Sequence, residues 1–230
     1  ADYIEECLAS CLLQDNSCLE YEVIVVDDGS TDKTSTILDG LSHPRMKKFR
    51  IENSGIEVAS NYGFMRACGD YIVRVDADDK LSADYLRNID YYLSNEYGFF
   101  YPDYTVIDSG GKIIEIINLP DYHVAEVRSR GDFLATGTLY SAKVLNKIGG
   151  YSTLIKNSGL ENYELILTLI KAGIQGKHVP CCLFSYRRHA LNISETRKEQ
   201  IIRNGKMIFM RMGLGPFKTN EYHPYKLILQ

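Results

Sequence analysis

At 230 residues, 45% of them apolar, the chain can bury a core as one globular domain, which excludes a disordered or fibrous polymer. A formal charge of −4, with Lys and Arg spread out instead of gathered in a stripe, excludes a general nucleic-acid binder. No apolar run reaches the roughly 20 residues of a membrane-spanning helix and no signal peptide opens the chain, so a cytoplasmic setting is the default expectation.

The first predicted element is a helix, because Tyr3-Ile4, Cys7-Leu8 and Cys11-Leu12 recur at the spacing of one helix face. The chain starts without Met and directly in this pattern, so a missing segment before Ala1 is expected. Six cysteines without any Cys-x-x-Cys pair leave zinc and thioredoxin-like chemistry unsupported and read as reduced packing residues. Next comes the β-branched run Tyr21 to Val26, ending in Asp27-Asp28-Gly29-Ser30-Thr31-Asp32. That order predicts a strand, a tight turn at Gly29, and a helix to about Leu41 capped by Ser30, Thr31 or Asp32. A short strand over Lys48 to Glu52, a loop at Asn53-Ser54-Gly55 and a helix from about Ile56 to Cys68 follow.

The segment Gly69 to Asp79 is the most informative, since an apolar strand there runs into three carboxylates within four residues, Asp76, Asp78 and Asp79. Carboxylates held that close repel one another, and a divalent cation carrying a diphosphate offsets the repulsion. Asp76-Ala77-Asp78 therefore reads as a metal and nucleotide-sugar site. Strands alternating with helices specify an α/β fold with a mostly parallel central sheet covered on both faces, which binds ligands beyond the carboxyl ends of its strands. Both acidic clusters, Asp27-Asp28 and Asp76 to Asp79, belong at that edge.

Beyond a helix at Ala83 to Leu93 the alternation is lost. Strands are predicted around Gly98 to Ile107 and Lys112 to Asn118, joined by a turn at Ser109-Gly110-Gly111. A stretch from Gly131 to Tyr140 leads to a helix at Ser141 to Ile148 that Gly149-Gly150 ends. Another helix spans about Glu161 to Ala172, with Leu165, Ile166, Leu169 and Ile170 on one face. A strand at His178 to Phe184, a helix near Glu195 to Met212 and a loosely held tail of a dozen residues complete the pattern.

Tyr21 to Thr31, Asn53 to Gly55, Ala59 to Asn61 and Gly69 to Asp79, in this order and spacing, resemble the inverting glycosyltransferases of family two, which have the GT-A fold. The likeness extends through Gly137 to Tyr151, Gly159 to Gly173 and Tyr186 to Ser194. It implies one domain over 1–230, with a nucleotide-sugar-binding half at 1–105 and an acceptor-binding half with a C-terminal helix at 106–230. It implies that Asp28 faces the base, usually uridine, with Asp27 orienting the turn or reaching the ribose. Asn53 and Asn61 would touch the donor, and Asp78 would bind Mn²⁺ or Mg²⁺ with Asp76 near the ribose or a metal-bound water. Asp79 would cap the following helix or touch the donor sugar. His189, in Tyr186-Arg187-Arg188-His189, would contact the metal or phosphate, and one of the two arginines, with Arg188 preferred, would neutralise diphosphate charge.

Two departures stand out against the family pattern. Its opening strand is absent before Ala1, and Asn162 occupies the position where members place the aspartate that deprotonates the acceptor. Asn cannot take a proton, so Glu161 is the candidate base if the backbone turns it inward. The expected activity is metal-dependent transfer from a UDP-sugar to a saccharide or lipid-linked saccharide, in cell-surface polysaccharide or glycoconjugate assembly. Nucleic acid is not an expected partner, while peripheral association with the inner face of the membrane is compatible. The alternative reading is a catalytically silent nucleotide-sugar-binding module or partner subunit. A nicotinamide-dependent dehydrogenase fails for want of a Gly-x-Gly-x-x-Gly turn.

Plainer readings stand beside these. Asp27-Asp28-Gly29 alone is a capped turn, Asn53 and Asn61 are loop and cap residues, Glu161 is a favourable charge at a helix start, and His189 is a hydrogen-bonded surface residue. Tyr101, Tyr104 and Tyr140 are candidates for an acceptor platform.

Overall fold

A computed structural model describes residues 1–15, 18–130, 137–190, 192–221 and 223. In chain order the elements are α1 (Ile4–Leu12), β1 (Val23–Asp27), α2 (Thr34–Gly40), β2 (Met46–Arg50), α3 (Ile56–Phe64), β3 (Tyr71–Val73), β4 (Lys80–Leu81) and α4 (Tyr85–Tyr92). They continue with β5 (Phe99–Ile107), β6 (Ile113–Ile117), α5 (Val124–Arg130), β7 (Leu139–Ser141), α6 (Ala142–Ile148), α7 (Glu161–Lys171), β8 (Gly176–Arg187), α8 (Ile193–Thr196) and α9 (Lys198–Met212).

The α/β class holds, but the mostly parallel arrangement does not. β1 and β2 pair in parallel as a sheet of their own. The larger sheet runs β3-β7-β5-β8-β4, with β6 added to β5. Among the described residues only β5 and β8 are parallel there; β3 with β7, β4 with β8, β5 with β6 and β5 with β7 are all antiparallel. Parallel neighbours require a crossover, usually helical, and after β5 the chain instead turns back as a hairpin. Asp108 closes that hairpin by accepting the amides of Gly110 and Lys112, both at 2.9 Å.

Several helix faces match their spacing. Ile4, Cys7 and Leu8 of α1 are buried, and Ile4 and Leu8 pack on Val25 of β1 and Leu38 of α2. α7 is apolar nearly all round because it is covered twice. Leu165, Ile166 and Leu169 meet Phe99 and Tyr101 of the sheet, while Tyr163 and Leu167 meet Ile201, Ile208 and Phe209 of α9. Tyr101 and Tyr140 are 0% and 1% exposed in this core, and Tyr104 stacks on Phe184, so an acceptor platform from these tyrosines is not formed.

Other expectations shift. β3 ends at Val73, three residues short of Asp76. β4 and α5 were not anticipated, and the last predicted helix is broken into α8 and α9. Of the predicted tail, Thr219 and His223 are buried, and the Asn220 amide donates to the Ser129 carbonyl at 2.8 Å. Residues 222 and 224–230 lie outside the described residues, as does 131–136 of the predicted stretch before β7. All six cysteines are free, as expected, although Cys18, Cys68 and Cys182 are exposed.

Candidate active site

The acidic turn after β3 sorts its carboxylates by direction. The Asp79 amide donates to the Asp76 carbonyl at 3.0 Å and closes the turn. Asp79 points inward, 1% exposed, and accepts the Arg187 amide at 2.8 Å, which ties the turn to the end of β8. It is therefore a latch between two strands and not a helix cap.

Asp78 is left facing out. Its Oδ2 lies 3.0 Å from Nε2 of His189, and the His189 ring stacks on Tyr3 with centroids 5.3 Å apart. Arg187, fully buried, braces this corner. Its Nε donates to the Asp78 carbonyl at 2.8 Å, Nη1 to the carbonyls of Asp108 and Ser109, and Nη2 to Glu6 at 2.5 Å. Of the two neighbouring arginines, Arg187 is thus committed to protein oxygens, and Arg188 is the exposed one.

A divalent metal fits this corner by donor chemistry. Asp78 and His189 offer one oxygen and one nitrogen, and their 3.0 Å separation is about the edge of an octahedron with bonds of about 2.1 Å. Among the described residues no group of three or more His, Cys, Asp and Glu side chains forms a ready cage. The pair would therefore hold an ion that draws its remaining ligands from phosphate and water, the usual habit of Mg²⁺.

Glu161 opens α7 and turns inward. Arg74 reaches it from the residue after β3: Nη2 donates to Glu161 Oε1 at 3.1 Å and to Asp76 Oδ2 at 3.0 Å, while Nε stands 3.0 Å from Asp76 Oδ1. Burial pushes the Glu161 carboxyl above the ordinary range; Arg74 opposes this, and the charges of Asp76 and Glu57 add to it. Asn162 is 6% exposed and spends its Oδ1 on the Tyr151 hydroxyl at 2.6 Å. It supports the wall on which Arg74 lies, 5.4 Å from the Tyr151 ring centroid.

The first acidic pair is built into loops. Asp27 is 6% exposed and accepts the Ser30 amide at 2.8 Å and the Ser35 hydroxyl at 2.8 Å. Burial pushes its carboxyl up, but these hydrogen bonds and the Arg50 charge outweigh that and hold it below the usual carboxylate range. Asp28 accepts the amides of Ser54 at 2.7 Å and Gly55 at 2.9 Å, so its carboxylate orders the 53–55 loop. Gly55 sits at φ 98° with Lys156 close against it, a place for glycine alone. Asn53 bonds the Asp28 carbonyl through Nδ2 and receives Lys156 Nζ at 3.0 Å. Asn61 is engaged both ways with the Tyr151 backbone, at 2.8 Å each, which makes it a brace for Tyr151.

A second clamp carries the Asp28 loop toward Glu161. Glu57, 1% exposed, accepts the amides of Asn157 at 2.9 Å and Ser158 at 2.8 Å. Asn157 returns the favour by capping the Ile56 amide at 3.0 Å. Thus Asp78 pairs with His189 and Arg74 ties Asp76 to Glu161, the two pairs being joined along the Asp76–Asp79 turn, while the Asp28 and Glu57 carboxylates fasten the 53–55 loop and residues 157–158. Sequence reasoning missed Arg74, Glu57 and Tyr151. The one available signal was a lone cation inside the apolar run Val73-Arg74-Val75. Surface concavities of about 660 Å³ beside Asp70 and Lys143 and about 630 Å³ beside His123 and Lys218 include none of these residues.

The chain has relatives among known proteins. The sequence profile described as Glycosyl transferase family 2 matches residues 1–157. The putative teichuronic acid biosynthesis glycosyltransferase TuaG of Bacillus subtilis is 33% identical over 202 residues, covering 85% of this chain and 78% of that protein. Chondroitin synthase of Escherichia coli is 28% identical over 225 residues, 94% of this chain and 32% of that protein. Among solved structures, S. aureus TarS 1-349 in complex with UDP-GlcNAc superposes with a TM-score of 0.72 at 16% identity, over 93% of this chain and 63% of that one. The last likeness is one of fold, and it bears out the GT-A expectation. The chain spans between 30% and 47% of the length of three of its curated relatives.

Proposed function

Because this chain belongs to glycosyl transferase family 2, we propose that it transfers a sugar from a nucleoside-diphosphate sugar to an acceptor hydroxyl with inversion at the anomeric carbon. This reading is carried by two pairs built on one acidic turn: Asp78 lies 3.0 Å from His189, and two residues earlier Asp76 shares the Arg74 guanidinium with Glu161. Asp78 and His189 would hold Mn²⁺ or Mg²⁺, which when bound would neutralise charge on the departing diphosphate. Glu161 accepts the proton of the acceptor hydroxyl. That oxygen then bonds the anomeric carbon from the face opposite the diphosphate, whose bond to the carbon breaks. Burial raises the Glu161 carboxyl above its ordinary range, the direction that makes a carboxylate a stronger base.

Asp76 serves the ribose side, Asp28 and Asn53 hold the loop that meets the base, and exposed Arg188 screens the diphosphate. Residues 1–105 form the donor half and 106–230 the acceptor half of one domain, with Glu161 and His189 reaching across. The TarS complex with UDP-GlcNAc supports a UDP-sugar donor. The names of TuaG and chondroitin synthase support a saccharide or lipid-linked saccharide acceptor in surface polysaccharide or glycoconjugate assembly. Among the described residues no helix is long and apolar enough to cross a membrane.

The test is release of UDP from UDP-GlcNAc, UDP-GalNAc and UDP-glucose with Mn²⁺. Glu161→Gln is expected to slow turnover by about 10²–10⁴ while UDP affinity stays within about threefold. Turnover of that variant at the wild-type rate would remove Glu161 as the base. The silent-module reading rests on Asn162, and tight UDP binding with no turnover of any donor or acceptor would favour it.

A further inference from the structure

We propose that Arg74 is the positioning residue of this site, a two-pronged guanidinium that sets the Glu161 carboxylate in the base position while holding Asp76 on the donor side. The inference rests on Glu161 being the base, and it explains how that task is met with Asn162 next door. Arg74 is nine-tenths buried, and one nitrogen, Nη2, donates to both carboxylates, at 3.0 and 3.1 Å. A guanidinium presents fixed, diverging N–H vectors, whereas an ammonium is a point charge without that fork. Asn162 meanwhile is held by Tyr151, whose ring lies beside the Arg74 guanidinium. The same arginine thus leans on the wall that keeps Asn162 turned to the tyrosine and pairs with the neighbouring Glu161.

One detail sets Arg74 apart from a packing ion pair. Among the described residues its buried Nε and Nη1 make no hydrogen bond, Nε being only ion-paired with Asp76 at 3.0 Å and Nη1 facing no carboxylate, although buried donors are nearly always satisfied. Arg187, the other buried arginine of this region, gives every nitrogen a partner. The leftover Arg74 donor is available to a hydroxyl of the bound sugar.

The charges facing Glu161 are Arg74 and Asp76 from the turn after β3 and Glu57 from α3, with Glu164 on its own helix engaged by Arg211. Arg74 is the cation in this set that pairs with Glu161. Without it only a backbone hydrogen bond would oppose desolvation and the two like charges, and its pKa would rise further. A base works only when ionised, so the acid limb of kcat must then move to higher pH.

The experiment compares wild type, R74K, R74M and E161Q in two ways. The first is the pH dependence of kcat and KM for the UDP-sugar that turns over fastest with Mn²⁺. The second is the Glu161 carboxyl titration by ¹³C NMR, assigned with E161Q, which needs no substrate. In R74M the acid limb and the titration are expected to rise together by at least 1 pH unit, with kcat falling about 10²-fold and KM changing less. R74K, which keeps the charge without the fork, is expected to hold the limb near wild type yet recover kcat only in part, and it serves if R74M does not fold. A Glu161 titration or acid limb unmoved in R74M, or full kcat in R74K, overturns the assignment of Arg74. An E161Q enzyme of wild-type activity overturns instead the reading beneath it.

Discussion

Between Val73 and Val75 the apolar run admits a single cation, and that cation links Asp76 to Glu161. The acidic run itself pointed to Asp76 and Asp78, because three carboxylates within four residues call for a cation, whereas His189 came only with the family resemblance. The preference for Arg188 over Arg187 had no physical ground in the sequence, since alternation along a strand decides which one is buried and the strand's end was not known in advance. Nor could the sequence tell that Asp79 and Asp28 spend their oxygens on backbone amides. For Asn162 the structure makes a definite prediction. Its Oδ1 is occupied by the Tyr151 hydroxyl, so Asn162→Asp places a carboxylate against a phenol instead of against the acceptor. Its turnover is expected to equal or fall below wild type in the UDP-release assay; a tenfold gain would show that position 162 can act as the base after all.

At the scale of elements, periodicity located most helices and strands, because α1 and α7 bury the faces their spacing marks. Pairing was harder to read. A strand of three residues such as β3 carries too little pattern to reveal its partner, and its antiparallel neighbour β7 lies about seventy residues away. The clamp between α3 and the loop before α7 was equally hidden, since Glu57 reads as an ordinary acid in a first helical turn. Its carboxylate in fact satisfies two backbone amides of residues about a hundred positions on. Glu57→Gln turns one acceptor into a donor facing an N–H, and a loss of about 2 kcal/mol in urea unfolding is expected, together with weaker UDP binding through the Asp28 loop. A loss below about 0.5 kcal/mol, the range of neutral surface changes, would mean that the clamp carries no load.

At the scale of the molecule, two sheets and four apolar clusters among the described residues fix the turns and loops that carry the carboxylates. The GT-A likeness was legible because its motifs are spread along most of the chain, whereas the mixed strand directions follow from hairpins and loops whose closure no local signal records. The claim on which the functional reading depends is that Asp78 and His189 grip one cation together with the diphosphate of the donor. Anomalous diffraction from crystals grown with MnCl₂ and UDP tests it directly. The account predicts a single manganese peak bonded at about 2.1 Å to the Asp78 carboxylate and the His189 imidazole, with diphosphate oxygens on the same ion. UDP bound with no manganese at this pair, or manganese bound elsewhere, would contradict it.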